Sequence, residues 1–189
     1  MSDALMQLYG WAAYLSAAAT IITFVTGILF FAVGGAFGKI NDISSVLQVL
    51  FMVPVAIMSV RSLGSGSPAL GMIAALVGIA GMLVSAYGQS LLVLDRIDFE
   101  GSLKFFPAGG AIGIWLIMVC AVAAVGGQLP QVLAWTGILA GLGYVMTVVG
   151  FLRGGQQNPL FYAGGLVLGV GYPVWAIWLG HLIFSGRLG

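Results

Sequence analysis

The sequence predicts an all-α fold: a compact bundle of six transmembrane helices with short loops, forming one domain over residues 1–189. Three observations predict it. Hydrophobic residues make up 61% of the chain and charged residues 6%, against roughly 25% charged in soluble domains, so lipid has to serve as the solvent. The apolar residues gather into six runs of the length, about 20 residues, that a helix needs to cross a hydrocarbon core of ~30 Å. The runs are also apolar on every face. LGMIAALVGIAGMLVSAYGQSLLVL has none of the in-out alternation, in segments of about ten residues, that outer-membrane strands require.

The first span is expected over 8–35. It follows MSDALMQLYGWAAYL, which carries an acid and no Lys or Arg, and its apolar stretch far exceeds the ~7–15 residues of a signal-peptide core. It therefore reads as a retained helix. Thr20, Thr23 and Thr26 form a stripe along it, suited either to hydrogen bonds across a helix interface or to a narrow polar cleft. GKIND is the expected connection to a second span over 43–61, inside which Pro54 leaves the Leu50 carbonyl without its helical donor and predicts a kink.

RSLGSGSP follows, with Ser67 as helix cap and Pro68 at the first helical position of a third span over 69–94. This serine-rich stretch lacks the Gly-x-Ser-x-Gly spacing of a nucleophile elbow. The fourth span is placed over 107–126, the fifth over 130–152 after the Gly126-Gly127 and Leu129-Pro130 breaks, and the sixth over 159–184 after Asn158-Pro159. Pro173 lies within the last and frees the Gly169 carbonyl, a second predicted kink. Small residues at four-residue spacing, Gly34/Gly38, Gly109/Gly113, Gly137/Gly141, Gly165/Gly169 and Gly71/Ala75 with Gly78, predict close helix contacts within the bundle or with a partner subunit. No inverted three-plus-three repeat is visible, because Pro54 and Pro173 do not fall in corresponding helices.

Most site chemistries are excluded by residue supply. The six basic residues are scattered singly, so there is no nucleic-acid patch and no polybasic lipid-binding cluster. One cysteine, Cys120, rules out an internal disulfide and a multi-cysteine metal site, and one histidine cannot supply two axial haem ligands. Lys39 and Lys104 sit at helix ends, and the middle thirds of the spans contain no Asp, Glu, Lys or Arg. An intramembrane ionisable residue, the usual mark of a proton-coupled carrier, is therefore not expected, nor is any cofactor. Polar residues within spans include Thr20, Thr23, Thr26, Gln48, Ser85, Gln89, Thr136 and Thr147.

Two places remain. VLDRIDFEGSLKFF at 93–106 concentrates Asp95, Arg96, Asp98, Glu100 and Lys104. If 97–100 is extended, Asp98 and Glu100 share a face and can pair with Arg96 and Lys104. The stretch reads as a solvated interfacial loop, with a partner-docking surface and an ion or catalytic site as alternatives. His181, in YPVWAIWLGHLIF, shares its helix side with Val174, Ile177 and Trp178. That setting describes an aromatic belt at a membrane interface, with a proton-relay or ligand role as the alternative.

GGQLPQVLAWTGILAGLGYVMTVVGFLRGG at 126–155 resembles the fifth-helix region of uncharacterised bacterial six-helix integral membrane proteins, a domain of unknown function in which a Leu-Pro-Arg loop leads into a Gly-rich helix. YPVWAIWLGHLIF is similar to their last helix, which closes on Trp-Leu-Gly before a basic tail. Gln131 departs from the pattern, standing where those proteins often carry a basic residue. The resemblance covers about a quarter of the chain; it implies six helices and a cytoplasmic N-terminus, and assigns no residue roles. The loop charges point the other way, since Lys39, Arg96, Lys104 and Arg153 lie opposite Arg61 and Arg187.

The expected protein is an integral membrane protein of the bacterial cytoplasmic membrane without an enzymatic site. It would act through packing, as an accessory or scaffold subunit or as a binder of a lipid-like ligand. Its partners would be the lipid bilayer and other membrane subunits or a second copy, and no nucleic acid. A small transporter or channel for a neutral or apolar solute is the first alternative. An intramembrane enzyme on a lipid substrate, using His181 or the loop acids, is the second.

Overall fold

A computed structural model describes residues 3–62 and 67–188. The chain forms α1 (Asp3–Val33), α2 (Phe37–Ser62), α3 (Pro68–Val93), a single turn α4 (Phe99–Ser102) running into a 3₁₀ turn, α5 (Ala108–Val125), α6 (Gln131–Gly154) and α7 (Pro159–Phe184). Six of these elements are long and apolar enough to cross a membrane. Helices are the form such runs take because every backbone N–H and C=O can be satisfied within the segment. The chain is an integral membrane protein by that criterion, a helical bundle of six spans.

Each span packs on the next, and α1 packs on α7, so the six helices close into a ring in the order α1, α2, α3, α5, α6, α7. Gly10 of α1 faces Phe184 of α7, and Gly169 of α7 faces Phe24 of α1, which makes the closing pair antiparallel like the rest. One half of the axis is filled by large side chains. Trp115, Trp175, Tyr172, Met52, Met58 and Met82 are all completely buried. Trp115 and Trp175 meet edge to face at 6.3 Å across the ring, and the Trp115 indole N–H donates to Ser59 Oγ of α2 at 3.4 Å. The outside stays apolar, with Leu8, Ile28, Leu76, Val125, Leu139 and Leu166 exposed to what must be lipid.

The glycines act mainly inside this ring. A Cβ at Gly113 would stand 2.6 Å from the Gly141 carbonyl oxygen, and one at Gly141 2.7 Å from that of Gly113, so α5 and α6 touch backbone to backbone. Gly143 and Gly164 make the same contact between α6 and α7, Gly81 meets Ala108 and Ala111 of α5, and Gly78 makes room for Trp115. The Gly34/Gly38 pair behaves differently from its prediction. Gly34 and Gly35 have φ of +76° and +69° and form the α1–α2 turn, while Gly38 lies under the Phe30 ring.

Helix limits agree with expectation to within two residues except at two starts, α1 beginning at Asp3 rather than 8 and α2 at Phe37 rather than 43. GKIND is helical rather than a connection, because the Gly34-Gly35 reversal already completes the turn and up to Pro54 only Gly38, seated under the Phe30 ring, disfavours a helix. Ser67 and Asn158 cap α3 and α7, each followed by Pro at the first helical position. Asn158 Oδ1 accepts from the Leu160 N–H at 2.9 Å, whereas the Ser67 side chain makes no capping bond. Pro54 and Pro173 both lie within continuous helices. Residues 63–66 of the serine-rich loop lie outside the described residues.

Substituting Gly113 or Gly141 by Ala should destabilise the protein in detergent by about 1–3 kcal/mol, since the neighbour is backbone and cannot rotate away. Gly165, with nothing near its missing Cβ, is the control. Gly165→Ala should leave the thermal unfolding midpoint unchanged or raise it.

Candidate functional site

The other half of the axis is not filled. Between the helices, on the face bearing the α1–α2, α3–α5 and α6–α7 turns, lies a cavity of about 300 Å³. Its floor is a hydrogen bond across the diameter of the ring, in which Gln48 Nε2 of α2 donates to Tyr144 Oη of α6 at 2.6 Å. Both residues sit near the midpoints of their helices. The Tyr144 hydroxyl contacts Met52 Sδ at 3.9 Å, and the packed aromatic half begins there. The cavity therefore runs from one membrane face to about the midplane and stops.

Its walls differ in character. The α2 side presents Asn41, Asp42, Ser45 and Gln48, and the α3 side Ser85 and Gln89. The spacings 41, 45, 48 and 85, 89 put each set on one helix face. On the α5, α6 and α7 side stand Phe105, Phe106, Phe151 and Phe161, with Phe106 and Phe151 ring centroids 4.5 Å apart and Phe161 6.1 Å from each. Val49 and Leu92 interrupt the first wall and Tyr144, Thr147 and Gln156 the second, so a mainly polar wall faces a mainly aromatic one.

The polar wall is anchored at α1. Asn41 Nδ2 donates to the Thr23 carbonyl at 2.6 Å, and Thr23 Oγ1 to Ser44 Oγ at 2.8 Å. Of the threonine stripe only Thr23 bridges helices. Thr20 and Thr26 donate to carbonyls of their own helix, a turn back. Beyond this anchor, polar groups are left over. Among the described residues Asp42 and Ser85 make no side-chain hydrogen bond or ion pair, and Gln89 Oε1 is fully buried without a donor. Asp42 is half-buried and is the one charged residue of the lining, which contains no Lys, Arg or His.

Asp42 overturns its expected placement. It was expected in a connecting segment, and the early start of α2 brings it onto a cavity-lining helix face. The spacing of Asp42, Ser45 and Val49, all in the lining, fits one helix face, but Gly38 and Asn41 beside Asp42 imitate a loop and hide it in the sequence.

The charged stretch at 93–106 is not part of this cavity's charge. Asp95, Arg96, Asp98, Glu100 and Lys104 are all exposed, and two of them act on the backbone. Asp95 has φ +54° and ends α3 with Asp95 N–H bonded to the Leu92 carbonyl and Arg96 N–H to the Leu91 carbonyl, a Schellman closure. Asp98 caps α4, its Oδ1 accepting from the Gly101 N–H at 2.7 Å. Residues 99–102 are helical rather than extended, so the expected pairs of Asp98 and Glu100 with Arg96 and Lys104 do not form. The ion pair seen among the described residues is Lys39 with Asp95, exposed and at 3.8 Å, worth about 0–1 kcal/mol. The stretch does contribute Phe99, Ser102, Leu103 and Phe105 to the cavity mouth.

His181 is exposed on the outer face of α7, in line with Val174 and Ile177, at the end of the bundle away from the cavity. Pro54 and Pro173 lie below the cavity floor and do not line it. Among the described residues no group of His, Cys, Asp and Glu is arranged to hold a metal ion. Comparison with known proteins finds no matching family model, no matching curated protein and no matching solved structure.

Tyr144→Phe should cost about 1–3 kcal/mol by leaving the Gln48 amide without its partner. A Gln48→Leu/Tyr144→Phe double variant should lose less than the sum of the single losses, as read in a double-mutant cycle of unfolding. In the loop, Asp98→Ala should cost about 0.5–2 kcal/mol through the lost cap, while Glu100→Gln should stay within about 0.5 kcal/mol of the parent.

Proposed function

We propose that the chain is a membrane-embedded receptor for a small amphipathic, lipid-like molecule, held in the cavity with its polar end toward α2 and α3 and its apolar body against the phenylalanines. The observation that carries this reading is the opposition of the two walls around one blind space. A cavity made only by imperfect packing would be apolar and dry, and a cavity made only to hydrate loops would not line one side with a cluster of aromatic rings. At about 300 Å³ the space stands at the lower end of ligand pockets, roughly 300–1,000 Å³. It suits a single-chain or ring-bearing molecule, not a whole two-tailed lipid.

A second reading has one observation in its favour. A cavity open at one face and sealed at the midplane has the form of one end-state of an alternating-access carrier. Pro54 and Pro173, in the helices just below the seal, supply backbone points where a hydrogen bond is already missing. Carriage of such a ligand is thus an extension of binding it. The enzymatic alternative has no such support, since His181 and the loop acids do not converge on the cavity.

Purification in mild detergent followed by native mass spectrometry should find the protein with one small amphiphile bound. Ser45→Trp, which places an indole in the cavity, should abolish the bound mass while leaving the unfolding midpoint near that of the parent. Bound mass that survives Ser45→Trp would place the ligand elsewhere and overturn the reading. In proteoliposomes, uptake of the recovered amphiphile that Ser45→Trp abolishes would add the carrier role, and its absence would confine the protein to binding.

A further inference from the structure

Two of the left-over polar groups of the cavity are acceptors, one charged and one buried. The Asp42 carboxylate has no cationic partner, Gln89 Oε1 is buried without a donor, and no Lys, Arg or His lines the space. A half-buried carboxylate without a cationic partner is costly, and so is a buried carbonyl without a donor. A positive group in the cavity removes the first cost, and one that also carries N–H donors removes the second once the Gln89 amide turns toward the space. The opposite wall favours that charge as well, because the faces of aromatic rings attract cations. The cations at this end of the bundle do not cancel the effect. Lys39, one turn before Asp42, is turned outward to Asp95, and Arg96, Lys104 and Arg153 are exposed outside the lining.

We propose that the ligand is a primary or secondary organic ammonium with an apolar, ring-bearing or alkyl body, its N–H groups shared between Asp42 and Gln89 and its body laid against Phe106, Phe151 and Phe161. This rests on the reading of the cavity as a ligand site and narrows it to one charge class. Anionic amphiphiles such as fatty acids are disfavoured by Asp42, and neutral ones leave the carboxylate unpaired.

Three probes of one shape separate the two levels. 4-Phenylbutylammonium, 4-phenylbutanol and 4-phenylbutanoate differ only in the end group, and their binding to the full chain in lipid nanodiscs can be read by equilibrium dialysis against empty nanodiscs. The ammonium should bind about tenfold or more tightly than the alcohol, and the carboxylate weakest, as expected for one ion pair in a partly desolvated site. Asp42→Asn should abolish the preference for the ammonium over the alcohol while leaving alcohol binding unchanged, and Gln89→Leu should weaken the ammonium alone. If alcohol and ammonium bind equally, and Ser45→Trp removes both, the ligand site stands and the cation assignment falls. If none of the three binds above the empty-nanodisc background, the receptor reading falls with it. A preference for the ammonium that persists in Asp42→Asn overturns the role given to Asp42.

Discussion

Closing six helices into a ring leaves an axis that the chain has to fill, and everything distinctive in this structure follows from filling only half of it. In lipid there is no hydrophobic force between helices, so contact depends on close fit and on the few hydrogen bonds available. The dry half meets that demand with Trp115, Trp175, Tyr172 and three methionines, the largest and most adaptable apolar side chains. The Ser16 and Tyr172 hydroxyls bond at 2.9 Å between α1 and α7, where the ring closes. The half that remains open is bounded by side-chain hydrogen bonds spanning the diameter, Gln48 to Tyr144 and, just beneath, Tyr144 to Met52.

That division links packing to chemistry. Backbone contact at Gly113–Gly141 and at Gly143–Gly164 holds α5, α6 and α7 at short separation, which is what brings Phe106, Phe151 and Phe161 into one group. On the other side the Asn41–Thr23 and Thr23–Ser44 bonds lock α2 to α1 and fix which face of α2 turns inward. The walls of the cavity are thus positioned by interactions that have nothing to do with a ligand. A site supported in this way keeps its shape when empty, so little ordering cost is charged against binding.

Most of the architecture is legible in the sequence, because span length, turn chemistry and proline position are local properties. Ser67-Pro68 and Asn158-Pro159 mark helix starts, and the glycine spacing marks contact faces. The polar residues within spans are legible one at a time: Thr23, Gln48, Ser85, Gln89 and Thr147 all line the cavity. Their convergence is not legible, since it depends on ring closure between α1 and α7, helices separated by the whole chain, and on the rotation of each helix. Asp42 is hidden for a different reason. In GKIND its charge and the neighbouring Gly and Asn imitate a loop, and only the backbone reversal at Gly34-Gly35 shows that the turn is already complete. Phe105, Phe106 and Phe161, near the ends of their spans, turn partly inward, because the ring leaves room there that lipid-facing positions do not.

The central claim, a polar space open at one membrane face and closed at the midplane, is tested most directly by thiol accessibility. Single cysteines at Ser45 and Ser85, on the polar wall, and at Ser59, beneath the floor, are introduced into a Cys120→Ala background and exposed to a membrane-impermeant methanethiosulfonate from each side of oriented vesicles. Cysteines at 45 and 85 should react from one side only and the cysteine at 59 from neither. Reaction at 45 or 85 from both sides, or at 59 from the opposite side, would reveal a continuous pore, and no reaction at 45 and 85 from either side would mean that no water-accessible cavity exists.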